Sequence, residues 1–354
     1  MPQYNSNPML KIDGSYGEGG GQIIRTAVAM SALTGKAIEI QNIRANRQNP
    51  GLQPQHLTAV EAVRQLCGAE VEGLEKGSRK IVFKPGEIKG GAFSLDVGTA
   101  GNIPLIFQCC LPAALFAPSP VRLKITGGTD TKMAPPIDYL RSVFLPIVSK
   151  MGVNATVELF RRGYYPKGGG QAIMEIAPCK ELRLIQISEQ GAFSYFGNVF
   201  CAPTIPEHVP ERIKKSAMVR IYNQLKQTPK ISTEISESFS PGVGIALWAK
   251  SDKTIIGSSA LGERGVPSEK VADDAVNALA AEVQSGATVD VHALDQLVPY
   301  MALASGKSEV LAREVSQHAC TNMWVVEKFL DVKFEIKHED KLWRVSVNGA
   351  GFKR

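Results

Sequence analysis

Three stretches of the chain repeat one order of apolar and polar positions. Each starts with a short strand-like segment that ends in an aspartate, at Asp13, Asp96 and Asp290. Each continues into a segment rich in small apolar residues, whose spacing predicts a helix. These first helices are expected at residues 22–33, 102–116 and 294–304.

A second helix and two closing strands complete each repeat. Apolar residues at three and four spacing predict the second helices at residues 55–67, 137–151 and 318–330. Alternating helices and strands of this kind indicate an α/β (α+β) fold, in which two helices pack on a small β-sheet. The internal repeat therefore predicts three such units that share one core.

A stretch with a different order of elements separates the second unit from the third. It is predicted to contain strands at 183–187, 192–200, 232–236, 244–249 and 253–258, and helices at 206–225 and 268–284. We expect residues 1–180 and 287–354 to form the three-repeat catalytic domain and residues 181–286 to form a smaller inserted α/β domain. Decoration of the third unit is the alternative, but about one hundred residues are enough for a separate core.

Composition narrows the class of protein. With 354 residues, 44% hydrophobic and 21% charged, the chain can bury two cores. The net charge of +6 argues against coating long nucleic acid and permits binding of a few phosphates. Six cysteines lack the spacing of a metal site and indicate reduced thiols.

The same sequence argues against a membrane or a secreted destination. The longest apolar run, residues 103–118, is interrupted by Gln108 and by two prolines, so it is too short to cross a bilayer. Residues 1–8 lack the basic and apolar regions of a signal peptide. A cytoplasmic protein is expected, or a nuclear one if the source is eukaryotic.

A glycine-rich loop, residues 17–22, lies between the first strand and the first helix. Glycines let the backbone approach a ligand, and the helix N-terminus can face an anion. The alternative is a tight strand-to-helix turn. Glu18 would repel a phosphate unless a metal bridged them, which makes it a candidate magnesium or manganese ligand.

A second loop, residues 44–56, enters the second helix of the first unit. The forked guanidinium groups of Arg44 and Arg47 suit phosphate oxygens. Arg25 lies one helical turn beyond the glycine loop and could reach the same site. A solvated basic loop remains the alternative.

Residues 162–170 form the most distinctive segment, with three glycines after Pro166 and Lys167. Such composition predicts a hairpin bend. A structural role is favoured over catalysis, with the backbone packed closely between neighbouring units.

His318 begins the second helix of the third unit. The positive end of a helix lowers the pKa of a histidine and keeps its imidazole neutral and nucleophilic. A neutral imidazole can attack the α-phosphorus of ATP. A cap or packing role is the alternative for an isolated histidine. His292, beside Asp295 and Gln296, is expected at a junction equivalent to the glycine loop and could line the same cleft.

These motifs together resemble the RNA 3'-terminal phosphate cyclase family over nearly the whole chain. The resemblance implies three α/β units with a small insert, and it implies that ATP adenylylates His318. The resemblance also implies contacts with ATP by Gln108, Pro135, His292, Ala293, Leu294, Asp295 and Gln296. Phosphates of ATP or of the RNA end would be bound by Arg25, Arg44, Arg47 and Gln55, with Glu18 near the metal.

The implied reaction converts an RNA 3'-phosphate into a 2',3'-cyclic phosphate. AMP passes from ATP to His318 and then to the RNA 3'-phosphate, after which the neighbouring 2'-hydroxyl closes the ring and expels AMP. The implied partners are ATP, RNA 3'-phosphate ends and Mg²⁺ or Mn²⁺, and a homo-oligomer is possible. The resemblance also implies an aromatic residue of the insert that stacks on adenine, which residues 257–262 do not provide.

Two other functions are compatible with this fold. A cyclase-like ribosome assembly factor would share the repeats without the catalytic histidine, so His318 argues against it. An enolpyruvyl transferase also has related repeated units, but it would need neither a histidine nucleophile nor ATP.

Overall fold

The computed structural model describes residues 9–353. The N-terminal residues 1–8, where the sequence predicts no signal peptide, lie outside the described part. Within that part, no helix is long and apolar enough to span a bilayer. The cytoplasmic location and the possible homo-oligomer stay predictions.

The first unit is a four-stranded sheet with two long helices. Its elements are β1 (Leu10–Asp13), α1 (Gly21–Thr34), β2 (Ile38–Gln41), α2 (Pro54–Cys67), β3 (Glu70–Glu72) and β4 (Ile81–Lys84). The strand order is β1-β2-β4-β3. Strands β1 and β2 are parallel, and the other two pairings are antiparallel.

The second unit repeats this topology, with the order β5-β6-β8-β7. Its elements are β5 (Gly91–Asp96), α3 (Ile103–Ala114), β6 (Val121–Gly127), α4 (Ile137–Tyr139), a π-helical turn (Leu140–Phe144), α5 (Leu145–Ser149), β7 (Asn154–Arg161) and β8 (Gly170–Ala177). The helix predicted at 137–151 is therefore interrupted. Pro146 has no backbone N–H to donate, and the helix widens into the π-helical turn just before it.

After β8 the chain forms the short strand β9 (Gln186–Ile187) and then a separate small sheet. Its elements are β10 (Ser194–Cys201), α6 (His208–Leu225), β11 (Lys230–Ile235), β12 (Val243–Lys250), β13 (Ile255–Leu261) and α7 (Ser268–Ser285). The order β11-β10-β12-β13 differs from that of the other sheets. Helices α6 and α7 cover this sheet around an apolar cluster of its own.

The third unit closes the repeat. Its elements are α8 (Val291–Leu303), β14 (Ser305–Ala312), α9 (Gln317–Phe329), β15 (Phe334–Glu339) and β16 (Leu342–Ala350). The order β15-β16-β14-β9 is that of the first two units when read in reverse, and β9 is parallel to β14. The predicted α/β fold class is confirmed, and the described residues contain four small mixed sheets.

The first strand of the third unit differs from the prediction. The segment 288–290 forms no strand, and β9 takes its place from the other side of the insert. The Thr288 hydroxyl donates to the Ile187 carbonyl at 2.9 Å and accepts from the Leu311 amide at 2.9 Å. This side chain therefore bridges the two strands where the predicted strand would have paired.

The position of β9 also bears on where the insert begins. Leu182, Ile185 and Ile187 are buried in the main apolar core, which spans all three units. The sequence division placed these residues in the inserted domain. The separate core of the insert begins at Tyr195.

Helices from all three units pack together at the centre of the molecule. Helix α1 packs against α2, α3 and α9, and α8 packs against α9 and α3. Helix α1 contributes small buried side chains such as Ala27 and Ala29, which favour close packing of helices. The shared helical layer brings the N-terminal ends of α1, α8 and α9 to one region.

The buried Arg162 joins the second unit to the insert. Its side chain is fully buried and forms ion pairs with Asp130 at 3.1 Å, Asp138 at 2.7 Å and Glu234 at 2.8 Å. Its guanidinium also lies 4.2 Å from the ring centroid of Phe200. Because Glu234 and Phe200 belong to the insert, one side chain fixes the two parts of the fold against each other.

We expect Arg162→Met to destabilise the protein strongly, because it leaves three carboxylates facing one another without a cation. Loss of one partner of a buried ion pair costs about 3–5 kcal/mol, measured as the free energy of unfolding in urea. The matched control is Arg122→Ala, which removes an exposed pair with Glu175 and should cost less than about 1 kcal/mol. Equal losses in the two variants would contradict the proposed linking role.

Candidate active site

A cavity of about 640 Å³ lies where the three units and the insert meet. Helices α1, α3, α8 and α9 form much of its wall, together with the loop that follows β6 and the end of β13. A cavity of this size suits a small-molecule ligand. The predicted site residues that line it are Arg25, Gln108, Pro135, His292, Asp295, Gln296 and His318.

His318 occupies the first turn of α9, at the edge of this cavity. Ser316 caps the start of this helix, and its hydroxyl accepts a hydrogen bond from the Ala319 amide at 2.9 Å. The His318 Nε2 atom lies 3.1 Å from Glu18 Oε2, and Arg47 Nη2 lies 3.0 Å from the same oxygen. The glycine loop, the arginine loop and α9 therefore meet at one carboxylate.

The surroundings of His318 favour its neutral form. Burial is the main cause that lowers the pKa of its imidazole, and Arg25, Arg47 and His292 act in the same direction. Glu18 opposes them because a carboxylate stabilises the imidazolium. The direction of the shift agrees with the sequence prediction, although the main cause is desolvation and not the helix end. The side chain is 43% exposed, so a reactant can reach it.

Positive charge collects beside this histidine. Arg25 lines the cavity and has no acidic partner among the described ion pairs, and burial lowers its pKa. The neighbouring His56 is buried, and burial with the charges of Arg25 and Arg44 lowers its pKa to about 3. His56 therefore stays neutral, and the positive charge beside His318 comes from the arginines. The three helix N-termini and Arg25 together make a site for an anion.

Asp295 connects α8 to α9 behind the histidine. Its side chain accepts a hydrogen bond from the Ser316 hydroxyl at 2.5 Å, and its carbonyl accepts one from Asn322 at 2.9 Å. Thr26 of α1 donates to Asn322 at 2.8 Å, which extends the network to the first unit. Burial raises the pKa of Asp295 to about 7. This network fixes the start of α9 and with it the position of His318.

The inner part of the cavity is mostly apolar. Gln108 donates to Gln296 at 2.8 Å across it, and the His292 ring meets Tyr139 edge to face. Apolar side chains of the wall include Met30, Leu105, Pro112, Phe144, Leu261 and Pro299. The insert contributes Ser259, Ala260 and Leu261, without an aromatic ring at these positions. A flat apolar group fits this region, with the paired amides available for polar contacts.

Four predicted site residues lie elsewhere. Arg44 donates to the carbonyls of Asn49 and Gly51 in its own loop. The Gln55 side chain accepts weakly from the Asn102 amide at 3.4 Å. Two further residues, Ala293 and Leu294, are completely buried in the core, on the side of α8 that faces away from the cavity.

Sequence reasoning missed Gln22 and Ser316. Both amide atoms of Gln22 are buried without a hydrogen-bond partner among the described residues, and the side chain lines the cavity. Its position directly after the glycine run was the available signal. Ser316 could have been found as a helix cap, since serine is favoured before the first helical turn.

Glu18, whose carboxylate contacts His318, is a residue of this site that could bind a metal. Within the part of the chain that the structure describes, no three His, Cys, Asp or Glu residues gather as a metal site. Mg²⁺ nevertheless binds in many proteins through one carboxylate and the phosphates of a substrate. The single carboxylate of Glu18 at the cavity edge is compatible with that mode.

The fold and the site define a mixed α/β protein whose three repeated units and insert enclose one cavity. A family model described as RNA 3'-terminal phosphate cyclase matches residues 16–336. A protein of that name from Pyrobaculum neutrophilum is 46% identical over 345 residues, or 97% of this chain and 99% of the relative. Proteins of the same name from Methanosarcina barkeri and Nitrosospira multiformis are 47% and 44% identical, over 96% and 95% of this chain and 100% and 96% of the relatives. The chain belongs to the RNA 3'-terminal phosphate cyclase family.

Replacing Glu18 with glutamine should lower the pKa of His318 further, because the carboxylate is the group that raises it. The pH dependence of diethyl pyrocarbonate modification reports this pKa, since only neutral imidazole reacts. Mass spectrometry of the peptide that carries His318 gives the midpoint, which should move to lower pH in Glu18→Gln. Glu314→Gln, an exposed control on the preceding loop, should leave the midpoint in place. An unchanged or raised midpoint in Glu18→Gln would disprove the assignment.

Proposed function

We propose that this chain is an ATP-dependent RNA 3'-phosphate cyclase that works through a covalent His318–AMP intermediate. The observation that carries the proposal is an accessible histidine at the edge of a nucleotide-sized cavity, where burial lowers the pKa of its ring. The names of the relatives support the substrate and the product. Covalent attachment of AMP is the step we infer from the chemistry of the site.

In the first step the unprotonated ring nitrogen of His318 attacks the α-phosphorus of ATP. The new N–P bond replaces the bond to the bridging oxygen, and pyrophosphate leaves with that oxygen. The imidazole then loses the proton on its other nitrogen. This step requires a neutral ring, which the burial of His318 supplies.

The chain offers contacts for each part of ATP. The adenine fits the apolar part of the cavity beside Gln108 and Gln296. The phosphates fit the positive edge beside Arg25, with Gln22 offering an unpartnered amide. Glu18 would hold Mg²⁺ or Mn²⁺, which neutralises the charge that builds on the phosphates. Arg47, which already contacts Glu18, is placed to approach the same groups.

The next two steps use the RNA. An oxygen of the 3'-phosphate attacks the phosphorus of His318–AMP, and the N–P bond breaks while the ring regains a proton on its other nitrogen. An RNA–adenylate with a phosphoanhydride bond results. The ribose 2'-hydroxyl then attacks the 3'-phosphorus, loses its proton and expels AMP. The last step benefits from a nucleophile that is already held next to the phosphorus. His318 is regenerated after the second step.

Incubation with ATP labelled at the α-phosphate tests the proposal directly. With Mg²⁺ or Mn²⁺ present, the label should become bound to the protein, and the bond should be labile in acid and stable in alkali. His318→Ala should abolish the label. His208→Ala, which changes an exposed histidine at the start of α6, should leave it intact.

The outcome also separates the proposal from a non-catalytic role. A folded protein that takes no label from ATP with either metal, yet binds RNA, would support an assembly factor and would refute the enzyme. A label that persists in His318→Ala would refute this nucleophile while leaving the activity open to another residue.

Removal of divalent metal should stop labelling. Excess chelator should reduce the initial rate of protein adenylylation by at least about a hundredfold, because the phosphate charge then lacks its main neutralising group. Addition of Mg²⁺ or Mn²⁺ should restore the rate. Full labelling in the chelator would contradict a role for the metal in this step.

A further inference from the structure

An aromatic stack lies on the outer side of the candidate active site. The ring of Tyr16 lies parallel to that of Trp324, with 4.0 Å between the centroids and 5° between the planes. The Lys328 ammonium lies 4.5 Å from the Trp324 centroid. Tyr16 remains 44% exposed although its ring is stacked, so much of its surface is open to solvent.

The loop that carries Tyr16 follows the surface of α9 residue by residue. Glu18 contacts His318, and a Cβ atom at Gly17 would lie 2.7 Å from the Thr321 hydroxyl. Tyr16 then meets Trp324. Because His318 and Trp324 are six positions apart, the two contacts are separated by about 9 Å along the helix.

Hydrogen bonds hold this loop in one conformation. The Tyr16 amide donates to the Asp13 carbonyl at 3.3 Å, and the Gly19 amide donates to the Tyr16 carbonyl at 3.0 Å. The Asp13 carboxylate accepts from the Ser15 amide at 3.0 Å and from the Asn42 side chain at 3.1 Å. The ring of Tyr16 is therefore positioned before any ligand arrives.

Tyr16 lies outside the cavity, on the loop that also carries Glu18. The cavity wall includes His318 but neither Glu18 nor Tyr16. His318 contacts Glu18, Glu18 contacts Arg47, and Tyr16 lies two residues before Glu18 on the same loop. A ligand that approaches His318 over this loop therefore meets the guanidinium of Arg47 and the ring of Tyr16.

We propose that the exposed face of Tyr16 is a stacking platform for a base of the RNA substrate near its 3' end. An aromatic face beside a cation is the arrangement that binds single-stranded RNA, because the cation meets phosphates and the ring meets bases. Stacked nucleotides advance by about 3.4 Å, so about 9 Å places the base within the last three nucleotides. The inference rests on the proposed function, since it takes RNA as the substrate that reaches His318.

Kinetics with a short RNA 3'-phosphate tests the platform. Tyr16→Leu keeps an apolar cover on Trp324 but removes the flat ring. The KM of this variant for RNA should rise about fivefold or more, the factor expected for the loss of one stacked base. Its rate of adenylylation by ATP, measured on the same preparation, is the control. Tyr16→Phe and Tyr16→Trp should restore the KM of the natural protein, because both keep an aromatic face.

Abasic substrates identify the base. RNAs that lack one base at the last, second-last or third-last position are compared in the natural protein and in Tyr16→Leu. One of these positions should raise the KM of the natural protein by the same factor as the substitution, and the two changes together should add little. Fully additive losses at all three positions, or a Tyr16→Leu variant with an unchanged KM, would overturn the platform.

Cross-linking tests the platform in the natural protein and needs no variant. RNA with 5-iodouridine at each of the same positions is irradiated in the complex, and the attached peptide is identified. Attachment to Tyr16 from one of the three positions is expected, and attachment only to other residues would refute the proposal. Adenylylation of His318 in the same sample separates the two hypotheses: its absence counts against the enzyme, and its presence without a Tyr16 adduct counts against the platform alone.

Discussion

One buried guanidinium determines how the candidate active site is assembled. Arg162 lies among Asp130, Asp138 and Glu234, and it is completely removed from solvent. Asp130 begins the loop that carries Pro135 to the cavity, and Glu234 belongs to the insert. Two walls of the cavity thus depend on the same side chain. The attraction of these carboxylates outweighs desolvation and raises the pKa of Arg162 above its usual range, so the guanidinium keeps its charge.

The second constraint is the shared layer of helices. A single repeat of two helices and four short strands has too little apolar surface to fold alone, whereas three repeats bury a continuous core. The arrangement that buries this core also directs the N-termini of α1, α8 and α9 to one place. Stability and anion binding therefore have a common origin, and residues distant in sequence, such as Gln22 and Ser316, come to line one cavity.

Local patterns predicted most of the elements, because apolar periodicity and helix caps are properties of neighbouring residues. These local patterns did not predict the contacts between segments that lie on either side of the insert. The segment 288–290 reads as a strand, but only the fold reveals that β9 occupies its place and that Thr288 bridges the gap. The family resemblance indicated residues 292–296 as one continuous binding segment. These residues lie in a helix, where successive side chains point in different directions. Asp295 and Gln296 therefore reach the cavity while Leu294 packs in the core.

The repeats also show how the environment assigns a role to a residue. Helices α2 and α9 occupy equivalent positions, and each has a histidine in its first turn. His56 is buried, its pKa is lowered to about 3, and its Nδ1 lone pair accepts the Gln53 amide at 3.1 Å. Because this lone pair already accepts a hydrogen bond at the start of α2, the ring cannot act as a nucleophile. His318 is also kept neutral by burial, but part of its ring is exposed at the cavity edge. Partial exposure combined with a lowered pKa, and not the presence of a histidine in the motif, is what makes nucleophilic attack possible there.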